Sequence, residues 1–213
     1  MLPLADSAKQ ALLDVARRAV ILAVERRELL EDLPDDEALR QPASAFVTLH
    51  RLGRLRGCVG QLASKDALVS VIAYCAMAAA LDDPRFAPMT SPELEGLAIE
   101  ISVLSPLVEI SCEQVEPGKH GLMVSRGAKR GVLLPQVAQQ FGWTAERFLE
   151  ETCLKAELER DDWKKAGTRV QGFTAEIFSE AGFHAAPRQD EPDVQQNQAI
   201  RLRRNRPRRS AED

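Results

Sequence analysis

Between Ser7 and Leu30, apolar side chains recur at helical spacing, at Ala8, Leu12, Val15, Ala19 and Leu22, while Asp14, Arg17 and Glu25 fall mostly elsewhere. Such a stripe predicts an amphipathic helix packed on a core. An acidic, proline-bounded connector, Leu33 to Pro42, separates it from two extended runs, Ala45 to His50 and Arg54 to Val59. Arg51, Leu52 and Gly53 lie between the runs, which predicts a β-hairpin with Gly53 in the left-handed conformation. From Asp66 the helical period returns, with Leu68, Val71, Ile72, Cys75, Ala76 and Ala79 on one side, until Asp83 and Pro84 stop it.

Ala98 to Leu104 alternates and is rich in Ile and Val, so it reads as a strand, ended by Ser105 and Pro106. Leu122 to Ser125 and Gly131 to Leu134 predict a second hairpin turning through Arg126 to Lys129. Pro135 opens a short helix that ends at Gly142, and Thr144 is placed to cap another, with Glu146 near its positive end. Val170 to Phe178 reads as one closing strand. Strands mixed with helices in no βαβ rhythm predict an α+β fold, a mainly antiparallel sheet flanked by helices.

Composition narrows the class. A chain of 213 residues with 45% apolar content holds one ordinary domain, or two small lobes sharing a core. Cys58, Cys75, Cys112 and Cys153 are widely and irregularly spaced, with no metal-ligand pattern and no secretory start, so they read as reduced cytoplasmic thiols. The longest apolar stretch, Val69 to Leu81, is too short to cross about 30 Å of hydrocarbon. From Ala185 onward there are seven Arg against five acidic residues, which leaves 21 basic and 27 acidic residues in the body. An acidic body argues against phosphate-backbone binding, so nucleic acid is expected only through residues 201–209. With almost no apolar residues, 185–213 is expected to be a disordered tail.

Alternation along Arg54 to Val59 places Arg54, Arg56 and Cys58 on one face and Leu55, Gly57 and Val59 on the other. A guanidinium beside a thiol stabilises the thiolate, the form that acts as nucleophile. Gly57 and Gly60 would admit a ligand close to the backbone or a bulge; alternatively Cys58 is a small core residue and the glycines make a turn. On the Ala98 to Leu104 strand, Glu100 and Ser102 share the polar face, so Glu100 is expected to pair with Arg56 if the strands are neighbours, either as part of a site or as a surface charge pair. His120, in a glycine-flanked loop, could act as general base or simply be solvated. Arg85 follows Asp83 and Pro84 in a rigid turn, either as a fork for a carboxylate or phosphate or as the partner of Asp83. Cys75 and Cys153 read as packing residues, and Trp143 and Trp163 as anchors for short helices. There is no phosphate loop, serine elbow or metal-binding helix signature.

Six segments occur in order: Phe46-Val47-Thr48-Leu49, Leu55-Arg56-Gly57-Cys58-Val59-Gly60, Asp83-Pro84-Arg85-Phe86, Ser102-Val103-Leu104-Ser105, His120-Gly121-Leu122 and Leu133-Leu134-Pro135-Gln136-Val137. Together they resemble the AMMECR-one domain family, called AmmeMemoRadiSam system protein A in bacteria, over about Ala8 to Glu180. The resemblance implies two α+β lobes of unequal size in one compact body spanning 1–184, the smaller at 113–167. It also implies company with a Memo-type protein, related to extradiol dioxygenases, and with a radical S-adenosylmethionine protein. Neither the residues nor the resemblance names a cofactor or a metal. The expected function is therefore an accessory or substrate-binding component working through Arg56, Gly57, Cys58 and Gly60, with Arg85 and Ser102 as further binding residues. The alternatives are a thiol enzyme using Cys58 with His120 or Glu100 in acyl or alkyl transfer, and a regulator that binds nucleic acid through the tail. Cys75 stands where relatives have Asn, and Lys155-Ala156-Glu157-Leu158 where they have Lys-Ala-Gly-Leu; both departures are expected to lie away from the motif.

Overall fold

The computed structural model describes residues 3–62 and 64–180. The tail expected at 185–213, and the nucleic-acid contact expected of 201–209, lie outside the described residues. Helix α1 runs Asp6–Arg26 and buries Leu12, Val15, Ala16, Ala19, Val20 and Ala23, the stripe its period implies. Asp6 in its first turn and Arg26 in its last oppose the helix dipole favourably. It stops short of Leu30 because Arg27 turns left-handed, at φ 61°, and donates its N–H to the Ala23 carbonyl.

Strands β1 (Ser44–Arg51) and β2 (Arg54–Gln61) form the first hairpin, closed by Leu52 and Gly53 at φ 50° and 77°. Two positive φ values in a two-residue loop match the twist of the flanking strands. Helix α2 (Leu68–Leu81) is apolar almost all round because it is sandwiched between α1 and strands β1 and β2. Strand β3 (Leu97–Leu104) pairs antiparallel with β1, giving a four-stranded sheet in the order β2-β1-β3-β8, with β8 at Ala175–Ser179.

A second antiparallel sheet, in the order β4-β7-β5-β6, is built from β4 (Val108–Glu109), β5 (Gly121–Arg126), β6 (Lys129–Leu133) and β7 (Arg169–Phe173). Its strands lie between residues 108 and 173. Helices α3 (Pro135–Gln140) and α4 (Ala145–Lys155) accompany it, and the Thr144 hydroxyl accepts the Arg147 N–H at 3.2 Å as the cap of α4. The single strand expected over Val170 to Phe178 is in fact two strands in different sheets, divided at Thr174. The chain also leaves the first sheet after Leu104, and the two crossings are tied together. Ser105 N–H donates to the Thr174 carbonyl, and Thr174 N–H donates to Ser105 Oγ, both at 2.9 Å.

Both faces of the first sheet are covered. Ala45, Val47, Leu49, Ile99, Ile101 and Val103 face the helices, while Phe46 and Leu104 on the other face pack with Val132, Leu134 and Phe173 of the second lobe. This explains why β1 is buried at every position from Ala45 to His50. Among the described residues, no helix is long and apolar enough to cross a membrane.

Candidate functional site

Antiparallel register sets Cys58 on β2, Thr48 on β1 and Glu100 on β3 in one row across the face that meets the second lobe. The Thr48 hydroxyl donates to Cys58 Sγ at 3.3 Å. Strand β2 is an edge, so the outward N–H of Cys58 needs a partner from outside the sheet. The turn after α2 supplies it: the Asp83 carboxylate accepts the Cys58 N–H at 2.8 Å. Arg85 clamps that carboxylate from its own backbone N–H, from Nε at 3.0 Å and from Nη2 at 2.6 Å. Leu55–Gly60 and Asp83–Phe86, far apart in sequence, thus form one structure.

Electrostatics follow from this arrangement. Burial would raise the Asp83 carboxyl, but the hydrogen bonds from Arg85 and the Cys58 N–H outweigh it and hold the group below its ordinary range. Burial pushes the Cys58 thiol up, against the opposing pull of the Thr48 hydrogen bond and the Arg85 charge. Burial also raises Glu100. Lys155, the last residue of α4, is pushed down to about 8 by burial and the nearby Arg85 guanidinium, with Cys58 pulling the other way. Its Nζ is buried and has no hydrogen-bond partner among the described residues.

Several expectations need correction. Leu49 pairs with Gly57 but His50 pairs with Leu55, so Arg56 is the extra residue of a β-bulge and the alternation assumed across it fails. The Arg56 side chain reaches Glu93 at 2.7 and 3.1 Å, donates to the Ala87 carbonyl at 3.0 Å and lies over the Phe86 ring. It therefore pairs with Glu93, whose carboxyl it holds down to about 2, and not with Glu100. The glycines admit the protein itself: a Cβ on Gly57 would lie 2.1 Å from the Ala79 carbonyl oxygen of α2, and one on Gly60 2.1 Å from the Phe46 ring. No space is left there for a ligand.

His120 is taken up locally, its Nδ1 accepting the Glu116 N–H at 3.1 Å and its own N–H donating to the Glu116 carbonyl. None of these bonds brings it to Cys58. Ser102 shares the Glu100 face but is offset from the Cys58 row, fully buried, with its hydroxyl unpartnered among the described residues. Arg85 is in the site, bound to Asp83. Cys75 and Cys153 are both fully buried, Cys75 within the core under the first sheet. One sequence departure does not lie away from the motif: Cys75 accepts a hydrogen bond from the Gln61 backbone at the end of β2. The local Asp83–Arg85 pair that the sequence offered is present, with Asp83 also taking the Cys58 N–H; sequence reasoning missed the parts of Thr48 and Glu93. Among the described residues, no three His, Cys, Asp or Glu side chains gather to hold a metal ion.

A model of the AMMECR1 family matches residues 13–178. A protein of Methanothermobacter thermautotrophicus is 40% identical over 190 residues, covering 84% of this chain and 98% of that relative. A protein of Aquifex aeolicus is 37% identical over 177 residues, 79% of this chain and 91% of its own length. The crystal structure of an uncharacterised protein from Pyrococcus horikoshii superposes with a TM-score of 0.77 at 37% identity, covering 84% of this chain and 94% of that one.

Proposed function

The chain belongs to the AMMECR1 family, and on that premise we propose that it is a binding component, not a catalyst. In this reading it is an accessory or substrate-binding subunit that works in the cytoplasm with a Memo-like protein and a radical S-adenosylmethionine protein, through the site around Cys58. The observation that carries binding over catalysis is the state of that cysteine. Burial pushes its thiol up, and the guanidinium that opposes this, Arg85, is itself bound to Asp83. A nucleophilic cysteine needs the reverse, a thiolate near neutral pH. The choice of partners rests on the resemblance to proteins that accompany or are fused to such enzymes. Affinity capture from the native host under gentle lysis tests it; recovery of neither partner, with both expressed, rejects the reading.

One observation favours the thiol enzyme instead: the amine of Lys155 is held down at about 8, with the Cys58 thiol among the groups that shift it, which suits this amine to take a proton near neutral pH. Alkylation of Cys58 followed against pH separates the two. The binding reading expects reaction slower than a model thiol at pH 7, gaining rate only above the ordinary thiol range. A Cys58 faster than the model thiol at pH 7 transfers the conclusion to the enzyme.

A further inference from the structure

The polar row across the first sheet is rich in hydrogen-bond acceptors. Cys58, Thr48 and Glu100 lie opposite one another in register on β2, β1 and β3, and Ser102, two residues along β3, shares their face. Directly opposed side chains have Cβ atoms about 5 Å apart, so Thr48 and Glu100 border one space. Thr48 spends its hydroxyl hydrogen on Cys58 Sγ at 3.3 Å, which leaves its oxygen only to accept. Glu100 is half-buried, and among the described residues it has neither hydrogen bond nor ion pair. The Ser102 hydroxyl, on a residue 1% exposed, is also without a partner among them. Opposite Ser102 in register stands Ile177 of β8, an apolar side chain left 42% exposed.

The cations that might have answered Glu100 are committed elsewhere. Arg56 takes Glu93, Arg17 takes Glu180, and Arg85 takes Asp83 beyond the β2 edge, with β1 and β2 between it and β3. The Lys155 ammonium makes no hydrogen bond among the described residues. Burial raises the Glu100 carboxyl with no cation acting against it. A half-buried carboxylate beside two hydroxyl oxygens, with no donor aimed at it, is completed by a ligand that brings donors and positive charge.

We infer that Glu100 binds the primary ammonium group of a small aliphatic amine, with Thr48 and Ser102 accepting its other hydrogens and Ile177 against its carbon stem. An ammonium carries three donors and no acceptor, one donor for each of the three groups. A guanidinium would spend its flat fork on the carboxylate alone. The inference deepens the binding reading above and rests on it. Partner capture tests that reading separately, so the amine can fail while the partners are still recovered.

The full chain, labelled with nitrogen-15, is titrated at constant ionic strength with butylammonium chloride and, separately, with tetramethylammonium chloride, which has the same charge and no N–H. Saturable shifts of the Thr48, Glu100 and Ser102 amides are expected with butylammonium, and binding at least about tenfold weaker with tetramethylammonium. In Glu100→Gln, which keeps the shape and removes the charge, the affinity for butylammonium should also fall by at least about tenfold. Independently of any variant, the side-chain carboxyl carbon of wild-type Glu100 should shift over the same concentration range as the amides. No saturable response to butylammonium overturns the inference, as do equal affinity for the two cations, affinity unchanged in Glu100→Gln, or a Glu100 carboxyl carbon that does not move.

Discussion

Lys155 carries its proton at a cost in the folded state, and the sign of that cost is testable. Its folded value is about 8 against an ordinary 10.5, so between these values the unfolded chain binds more protons and stability rises with pH. Below pH 8 both states are protonated and the penalty is full. In chloride buffer at pH 7, Lys155→Met should therefore be more stable than wild type by about 1–2 kcal/mol, discounted for the partial exposure of the stem. Denaturant unfolding should show that advantage shrinking towards zero near pH 10.5; an advantage that does not move with pH contradicts the assignment. Gly57 makes the complementary case of a residue fixed by contact. Its missing Cβ leaves room for the Ala79 carbonyl, a backbone atom that cannot swing aside. Gly57→Ala should lower stability by about 2–3 kcal/mol by prising α2 off β2, and a thermal melt indistinguishable from wild type would show that the helix adjusts freely.

The C-terminal end of α4 is where the departure from the relatives acts on an element. Leu158 N–H donates to the Cys153 carbonyl and Glu157 N–H to the Leu154 carbonyl, the paired bonds of a Schellman cap, with Glu157 in the left-handed position at φ 59°. That conformation favours glycine, the residue the family resemblance leads one to expect there. Glu157→Gly should raise stability by about 0.5–1 kcal/mol, the relieved strain exceeding the added flexibility of the unfolded chain. The Lys129 bond to the Glu157 carbonyl is to backbone and survives the change. A drop in the urea midpoint would contradict this account. The bulge at Arg56 works in the opposite sense: it breaks the strand's alternation so that one side chain leaves the sheet and latches Glu93, at the end of the segment that strings along the β2 edge.

At the scale of the molecule, two sheets share one chain that crosses between them twice, with Ser105 and Thr174 bonded to each other at the crossing. Phe46 and Leu104 from one sheet and Val132, Leu134 and Phe173 from the other lobe bury a common cluster. Calorimetry should give a single unfolding transition, because neither sheet keeps its inner face covered without the other; two separated transitions would mean that the lobes are independent. Periodicity along the chain already determined the helices, both hairpins, the cap at Thr144 and the shared face of Glu100 and Ser102, since these depend on side-chain spacing and turn chemistry over a few residues. The segment Leu55 to Gly60 drew attention to Cys58, but not to its neighbours. Spacing encodes which way a side chain faces and is silent on what it meets. Only the tertiary structure decided that Arg56 sits in a bulge, because bulging is a property of β2 paired with β1. The same holds for Ala79 and Phe46 filling the space at the two glycines, for His120 being used up within its own turn, and for Val170 to Phe178 dividing at Thr174. Asp83 came to the Cys58 N–H through the packing of the turn after α2 on the β2 edge, a hydrogen bond between residues 25 positions apart that no local pattern records.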